Sequence, residues 1–182
     1  MEILLIFVSG GVRSGKTSFA ERLAKEAAGK KGKLNYIAAG RAADQEMVER
    51  IAKHQQERFS SALPWHTYEQ PRDLHLLSSQ FTKNDIVVVD CLTTWLNNEM
   101  FSANPPEEVS KHLLMGIQSL ERACSVLILV SNELFYDAQP YSKTVLAYQA
   151  ALGEIHQDAV RKAQSAFLVE NGIPVLMKGA RQ

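Results

Sequence analysis

Short, largely apolar runs recur along the chain. Runs of this length that do not alternate with polar residues are typical of strands buried on both faces of a parallel sheet. The runs are Ile3–Val8, Leu34–Ala39, Ile86–Val89, Val126–Val130, Ala166–Val169 and Ile173–Lys178. The turn-forming pair Asn171-Gly172 joins the last two, which predicts an antiparallel hairpin at one edge of the sheet.

Helix-like stretches separate these runs. They are Thr17–Ala28, Asp44–Phe59, Cys91–Phe101, Glu107–Arg122 and roughly Val145–Ala163. Strands that alternate with helices in this way predict an α/β fold, with a mostly parallel sheet between two layers of helices. No internal repeat or interdomain linker is evident in the sequence, so we expect one domain over residues 1–182.

Composition narrows the class of protein. Of the 182 residues, 46% are hydrophobic, and 20 basic residues balance 20 acidic ones. Such a chain can bury a full core, and its neutral balance gives no electrostatic reason to expect nucleic acid or an anionic membrane as partner. Cys91 and Cys124 form no disulfide framework, and the first apolar run is too short to span a membrane. We therefore expect a cytoplasmic protein.

A glycine-rich segment follows the first predicted strand. Gly10-Gly11-Val12-Arg13-Ser14-Gly15-Lys16-Thr17 matches the phosphate-loop pattern G-x-x-x-x-G-K-[ST]. Backbone N–H groups and the start of the next helix would surround phosphate oxygens. Lys16 would reach the β- and γ-phosphates, and Thr17 would hold Mg²⁺. Because a strand precedes the pattern and a helix follows it, we favour a nucleotide site over a purely structural turn.

A carboxylate for the metal is expected at the end of a neighbouring strand. Asp90 follows the apolar run Ile86–Val89 directly and precedes a predicted helix. It could cap that helix as well as bind the metal, and the two roles are compatible. Together with Thr17, Asp90 predicts a site for Mg²⁺ and a nucleoside triphosphate.

The predicted helix Asp44–Phe59 carries a row of cationic and imidazole side chains. Arg50, His54 and Arg58 are successive i, i+4 neighbours, an arrangement that suits a phosphate. A histidine can also attack phosphorus and form a phosphoramidate. A solvated helix in which Arg50 pairs with Glu46 explains the same spacing, and from spacing alone it is the simpler interpretation.

The four remaining histidines show no spacing to cysteines or carboxylates that is typical of metal ligands. We interpret them as surface residues or as histidines whose hydrogen bonds are satisfied internally. They are His66, His75, His112 and His156.

Several segments together resemble one known family, the bifunctional adenosylcobinamide kinase / adenosylcobinamide-phosphate guanylyltransferases of cobalamin biosynthesis. The segments are "SGGVRSGKTSFAE", "YIAAG", "DQEMVERIAKHQQER", "WHTYEQP", "VVVDCLTTWLNNEMF" and "LILVSNE". They cover about the first three quarters of the chain in the order and spacing of the family. The resemblance implies a three-layer fold like that of P-loop nucleoside triphosphate hydrolases, and a homotrimer.

The resemblance also implies two reactions. ATP or GTP first phosphorylates adenosylcobinamide, a corrinoid, and GTP then donates GMP to that phosphate through a guanylylated histidine. His54 matches the family's nucleophile, and Lys16 is the second expected catalytic residue. The implied nucleotide contacts are Gly10, Gly11, Val12, Arg13, Ser14, Gly15, Lys16, Thr17, Ala38, Ala39, Gly40, Gln55, Gln56, Glu57, Arg58, Glu69 and Asp90.

The later part of the chain departs from the family pattern. Where the family has a glycine-rich G-x-G-I-V-P segment, this chain has Leu134–Pro140, and the following arginine-rich helix is replaced by "TVLAYQAALGEIHQ". Two alternatives therefore stay open at this point. One is a P-loop kinase with a different or narrower acceptor and no guanylyl transfer, and the other is a non-catalytic GTP-binding homologue.

Overall fold

A seven-stranded sheet forms the centre of the described residues. The computed structural model describes residues 4–28, 32–40, 63–134 and 142–179. The strands are β1 (Leu4–Gly10), β2 (Leu34–Ala38), β3 (Trp65–Glu69), β4 (Ile86–Asp90), β5 (Val126–Asn132), β6 (Ser165–Glu170) and β7 (Ile173–Lys178). Their order is β3-β2-β4-β5-β1-β6-β7, and every pair is parallel except β6–β7. The predicted parallel sheet and its antiparallel edge hairpin are thus confirmed.

Helices cover both faces of this sheet. They are α1 (Lys16–Ala28), α2 (Leu92–Met100), α3 (Val109–Ala123) and α4 (Lys143–Lys162), with a 3₁₀ helix at Leu74–Gln80. The predicted helix Asp44–Phe59 lies outside the described residues. Within the described part of the chain, no helix combines the length and the apolar composition that crossing a bilayer requires.

Alternate residues of each central strand enter different cores. Ile6 and Val8 of β1 pack with α1, whereas Leu5 and Phe7 pack with α2, α3 and α4 on the opposite face. Since successive side chains of a strand point to opposite faces, a strand covered on both sides is apolar at most positions. The exception in β2 is Asn35, which is buried and donates hydrogen bonds to the Lys33 and Ile86 carbonyls. Burial on both faces explains the largely apolar runs and confirms the three-layer α/β architecture.

The pattern of apolar runs did not predict strand β3. It lies at the edge of the sheet, where it pairs in parallel with β2. His66, Thr67 and Glu69 are exposed, while Trp65 and Tyr68 are half-buried. An edge strand of this kind keeps polar residues facing water, so its sequence lacks the pattern of the buried strands.

Candidate functional site

The phosphate-loop segment curls tightly between β1 and α1. The Ser14 N–H donates to the Gly11 carbonyl at 3.2 Å, and the Phe19 N–H donates to the Gly15 carbonyl at 3.0 Å. Arg13 and Gly15 adopt left-handed backbone conformations, with φ of 61° and 90°. Alternating right- and left-handed conformations turn successive N–H groups inward, which forms a concave site for anions.

The turn of the β6–β7 hairpin supports this loop. The Gly172 N–H donates to the Ser14 carbonyl at 2.8 Å, and a Cβ on Gly15 would lie 3.2 Å from the Gly172 Cα. A Cβ on Gly10 would come against the Val169 carbonyl oxygen and lie 2.6 Å from Ser14 Oγ. The close approach of two backbones therefore requires glycine at position 10.

Two groups in the loop favour an anionic ligand. Lys16 is buried, and its Nζ donates to the Gly11 carbonyl at 2.9 Å, which holds the ammonium across the loop. Ser14 Oγ is also buried and has no hydrogen-bond partner among the residues that the structure describes. A buried hydroxyl without a partner costs about 1–3 kcal/mol, a cost that a phosphate oxygen would remove.

Asp90 and Thr17 meet at the carboxyl edge of the sheet. The Thr17 hydroxyl donates to Asp90 Oδ2 at 2.8 Å, and the Tyr36 hydroxyl donates to the same oxygen at 2.7 Å. Although β5 lies between β1 and β4, α1 packs across both β4 and β5 and brings Thr17 to Asp90. A hydroxyl and a carboxylate beside a phosphate loop are hard oxygen ligands that fit Mg²⁺.

Tyr36 is a member of this site that the sequence did not reveal. It lies within the buried strand β2 and packs edge-on against Trp65, with ring centroids 6.3 Å apart. The one hint in the sequence is a phenol in the middle of a largely apolar run. An aromatic residue there is equally typical of a core, so the hint has little weight without the fold.

The second predicted set of nucleotide contacts lies along the same edge. Ala38 at the end of β2 stands opposite Glu69 of β3 and Asp90 of β4. The Ala39 N–H donates to the Asp90 carbonyl at 3.0 Å, and Gly40 follows directly. The structure therefore brings Ala38–Gly40 and Glu69 to the edge that carries the phosphate loop.

The remaining predicted contacts cannot be located in this way. His54, Gln55, Gln56, Glu57 and Arg58 lie outside the described residues. Their position relative to the phosphate loop stays a prediction.

The residue after Asp90, Cys91, belongs to a hydrogen-bonded network that links α2, β5 and α4. The Cys91 thiol is 2.9 Å from Thr93 Oγ1, to which Asn132 Nδ2 also donates at 2.9 Å, and the Tyr148 hydroxyl donates to the Thr93 carbonyl at 2.8 Å. Burial raises the pKa of the Cys91 thiol, and the negative charge of Asp90 raises it further. Burial likewise raises the pKa of Tyr148 to about 12. Both groups are thus neutral near pH 7 and act as fixed hydrogen-bonding groups that join α4 to the site.

His156 is internally satisfied, as predicted. Its Nε2 lies 2.7 Å from the hydroxyl of the buried Ser131, and its ring packs edge-on against Phe7 with centroids 5.1 Å apart. Burial lowers its pKa from 6.5 to about 4. The imidazole is therefore neutral at physiological pH and packs, half-buried, against the core residue Phe7.

The phosphate loop, the paired Thr17 and Asp90, and the parallel sheet together define a P-loop nucleotide-binding protein. Solved structures of this class share the fold. The ATPase domain of G40P aligns at a TM-score of 0.51 and 15% identity, covering 90% of this chain and 68% of that one. The KaiC-like protein PH0186 of Pyrococcus horikoshii OT3 aligns at 0.52 and 13%, covering 97% and 79%. At such low identity the likeness shows the fold alone.

Sequence comparison identifies the family within this class. The profile of the family described as cobinamide kinase / cobinamide phosphate guanyltransferase matches residues 6–177, and the chain belongs to that family. The bifunctional adenosylcobalamin biosynthesis protein CobP of Pseudomonas aeruginosa is 32% identical over 173 residues, covering 94% of this chain and 96% of the relative. CobU of Escherichia coli K12 is 31% identical over 188 residues, covering 96% and 100%. The family predicted from the motifs is confirmed.

Proposed function

We propose that this protein phosphorylates adenosylcobinamide with ATP or GTP, and then transfers GMP from GTP to that phosphate. The observation that carries the proposal is the hydrogen bond from Thr17 to Asp90 beside an intact phosphate loop, in a chain of this family. We infer the acceptor, adenosylcobinamide, from the family to which the chain belongs. We infer the donor, a nucleoside triphosphate, from the phosphate loop.

In the phosphoryl transfer, the loop residues Gly10–Lys16 hold the triphosphate. Thr17 and Asp90 would hold Mg²⁺, which when bound neutralises charge on the β- and γ-phosphates. Lys16 would exchange its contact with the Gly11 carbonyl for phosphate oxygens and stabilise the charge that builds up on them. As the acceptor oxygen bonds to the γ-phosphorus, the bond from that phosphorus to the bridging oxygen breaks, the nucleoside diphosphate leaves, and the hydroxyl proton is released to solvent.

In the guanylyl transfer, His54 is the proposed nucleophile. One ring nitrogen would bond to the α-phosphorus of GTP, the bond to pyrophosphate would break, and the other ring nitrogen would release its proton. The acceptor phosphate would then displace the histidine and regenerate it. Arg50 and Arg58 would offset negative charge, and Ala38–Gly40, Gln55, Gln56, Glu57 and Glu69 would hold the nucleotide.

A second candidate function is phosphoryl transfer without guanylyl transfer. It is favoured by Leu134–Pro140, which replaces the glycine-rich segment typical of the family. Helix α4, which follows, lacks the expected arginines and exposes Val145 and Leu146 near its start. An acceptor phosphate would find fewer cations there, which would weaken the second step more than the first.

We further propose that residues 1–182 act as one P-loop domain in a cytoplasmic homotrimer. The edge strand β7 exposes Ile173, Val175 and Met177 on one face, an apolar stripe that a neighbouring subunit could cover. Cys91 and Cys124 are both free and buried, in keeping with a reducing compartment.

Covalent labelling tests the guanylyl transfer. Protein incubated with Mg²⁺ and GTP labelled on the α-phosphate should retain an adduct that is acid-labile and stable in base. The adduct should be absent in His54→Ala and present in the matched control His66→Ala, which removes an exposed imidazole of β3. Transfer of label from the γ-phosphate to cobinamide measures the kinase step separately. Kinase activity without any adduct would leave the second candidate function, and loss of both would refute the proposal.

A further inference from the structure

Two histidines and an aspartate meet on the side of the sheet that carries α3. Asp73 directly precedes the 3₁₀ helix, His75 lies within it, and His112 projects from α3. The ligand atoms of the three side chains all lie within 4.8 Å of one another. The two imidazole rings pack edge-on with centroids 5.6 Å apart. Distant segments thus form a cluster that spacing along the sequence did not indicate.

The central atom of this cluster is His112 Nε2. It lies 3.2 Å from Asp73 Oδ1 and 3.5 Å from Glu99 Oε1, yet it is buried and makes no hydrogen bond of acceptable geometry to the described residues. The approach of this nitrogen to two carboxylate oxygens is repulsive when its lone pair faces them, and becomes favourable when a proton or a metal ion lies between. Ligand atoms bound tetrahedrally to zinc at about 2.0–2.1 Å lie about 3.3 Å apart, close to the 3.2 Å between His112 Nε2 and Asp73 Oδ1.

Glu99 fixes the aspartate rather than competing for the cation. It is buried, and its Oε1 accepts hydrogen bonds from the Asp73 N–H at 2.7 Å and from Trp95 Nε1 at 2.9 Å. On the other side, the Arg72 guanidinium is 3.9 Å from Asp73 Oδ2, which leaves Oδ1 for the histidines. Outer contacts of this kind orient the ligands of metal sites.

The cluster is also open to water. The side chains of His112 and Asp73 are 27% and 36% exposed. Because His112 Nε2 itself is buried, an ion would enter from solvent past the carboxylate of Asp73 and could keep a water molecule in its remaining position.

We propose that Asp73, His75 and His112 bind a divalent first-row transition metal ion, with zinc as the best match. Two imidazoles and one carboxylate suit zinc, whereas Mg²⁺ prefers oxygen ligands alone. The site is therefore chemically distinct from the Thr17–Asp90 pair. The ion ties the 3₁₀ helix to α3, where the Ser78 and Ser119 hydroxyls already meet at 2.8 Å.

Cobalt provides a direct test, because four-coordinate Co²⁺ has intense visible absorption bands. Metal-free protein, without nucleotide or Mg²⁺, is titrated with Co²⁺ and then with Zn²⁺. We expect saturation at one ion per chain, followed by loss of the bands as zinc displaces cobalt. Zinc at 100 times its Kd should also raise the Tm by roughly 5–10 °C.

Variants assign the site. Asp73→Asn, His75→Ala and His112→Gln should each weaken binding by more than about 100-fold, beyond the 10–100-fold expected for the outer contact Glu99→Gln. The matched control His66→Ala, which removes an exposed imidazole of the edge strand β3, should leave binding unchanged. Circular dichroism and the Tm of each metal-free variant separate loss of the site from loss of the fold.

Two results would overturn the proposal. One is the absence of one-to-one Co²⁺ binding by the wild type. The other is binding that survives in the folded Asp73→Asn and His75→Ala variants.

Discussion

The phosphate loop and the cluster of Asp73, His75 and His112 differ in how the chain builds them. The loop consists of residues 10–17, and its shape comes mainly from their backbone conformations and backbone hydrogen bonds. The cluster depends on the contact between a 3₁₀ helix and α3, segments far apart in the chain. A site made from consecutive residues can be recognised from its sequence, whereas a site made by packing becomes visible in the fold.

The largest effect is expected from removing the cation of the loop. Lys16→Ala should lower kcat/KM for phosphoryl transfer from ATP or GTP by about 10²–10³-fold, because a preorganised charge beside the transferred group is lost. Lys33→Ala, which removes an exposed cation outside the loop, is the control. Equal activity of the two variants would show that the loop does not hold the reacting nucleotide.

The pH dependence of stability tests whether His156 is half-buried and neutral in the folded protein. His156 has a pKa of about 4 in the folded protein and 6.5 when unfolded, so the unfolded chain binds more protons between these values. The free energy of unfolding should therefore fall as the pH drops from about 6.5 to 4, by about 3 kcal/mol from this group. Denaturant titrations of His156→Gln should show a shallower pH dependence, and those of His66→Gln should not.

A substitution at Gly10 tests whether the phosphate loop depends only on its own residues or also on its contact with β6. Gly10→Ala would force a Cβ against the Val169 carbonyl of β6 and should lower the free energy of unfolding by about 1–3 kcal/mol. Gly11→Ala is the matched control, since its Cβ would meet nothing within 4 Å. Urea unfolding measures both, and equal stability would mean that β6 does not constrain the loop.

The smallest effect is expected at Tyr36. Tyr36→Phe removes one hydrogen bond to Asp90 and should raise the Mg²⁺ concentration for half-maximal activity about tenfold. Tyr148→Phe removes a hydroxyl bonded to the Thr93 carbonyl instead, and should leave that concentration unchanged. An unchanged requirement in Tyr36→Phe would assign the phenol to the core rather than to the metal site.

The elements that the sequence predicted correctly are those whose cause lies in neighbouring residues. Buried strands alternate their side chains between two cores, so uninterrupted apolar runs predicted β1, β4 and β5, and a run interrupted at Asn35 predicted β2. The edge strand β3 was missed because water covers part of it and its composition is polar. The family followed from several motifs in order, and comparison with known relatives confirmed it.

What the amino-acid order specifies directly is local: backbone turns, the alternation of strand faces, and a loop whose N–H groups suit a phosphate. The contacts of Tyr36 with Asp90, of Gly172 with Ser14 and of His112 with Asp73 arise only when separate segments pack. Side-chain alternation and turn conformation depend on neighbouring residues, whereas the approach of distant groups depends on strand order and helix packing. Strand order and packing depend on the chain as a whole. The sites that they create therefore cannot be predicted from any single segment.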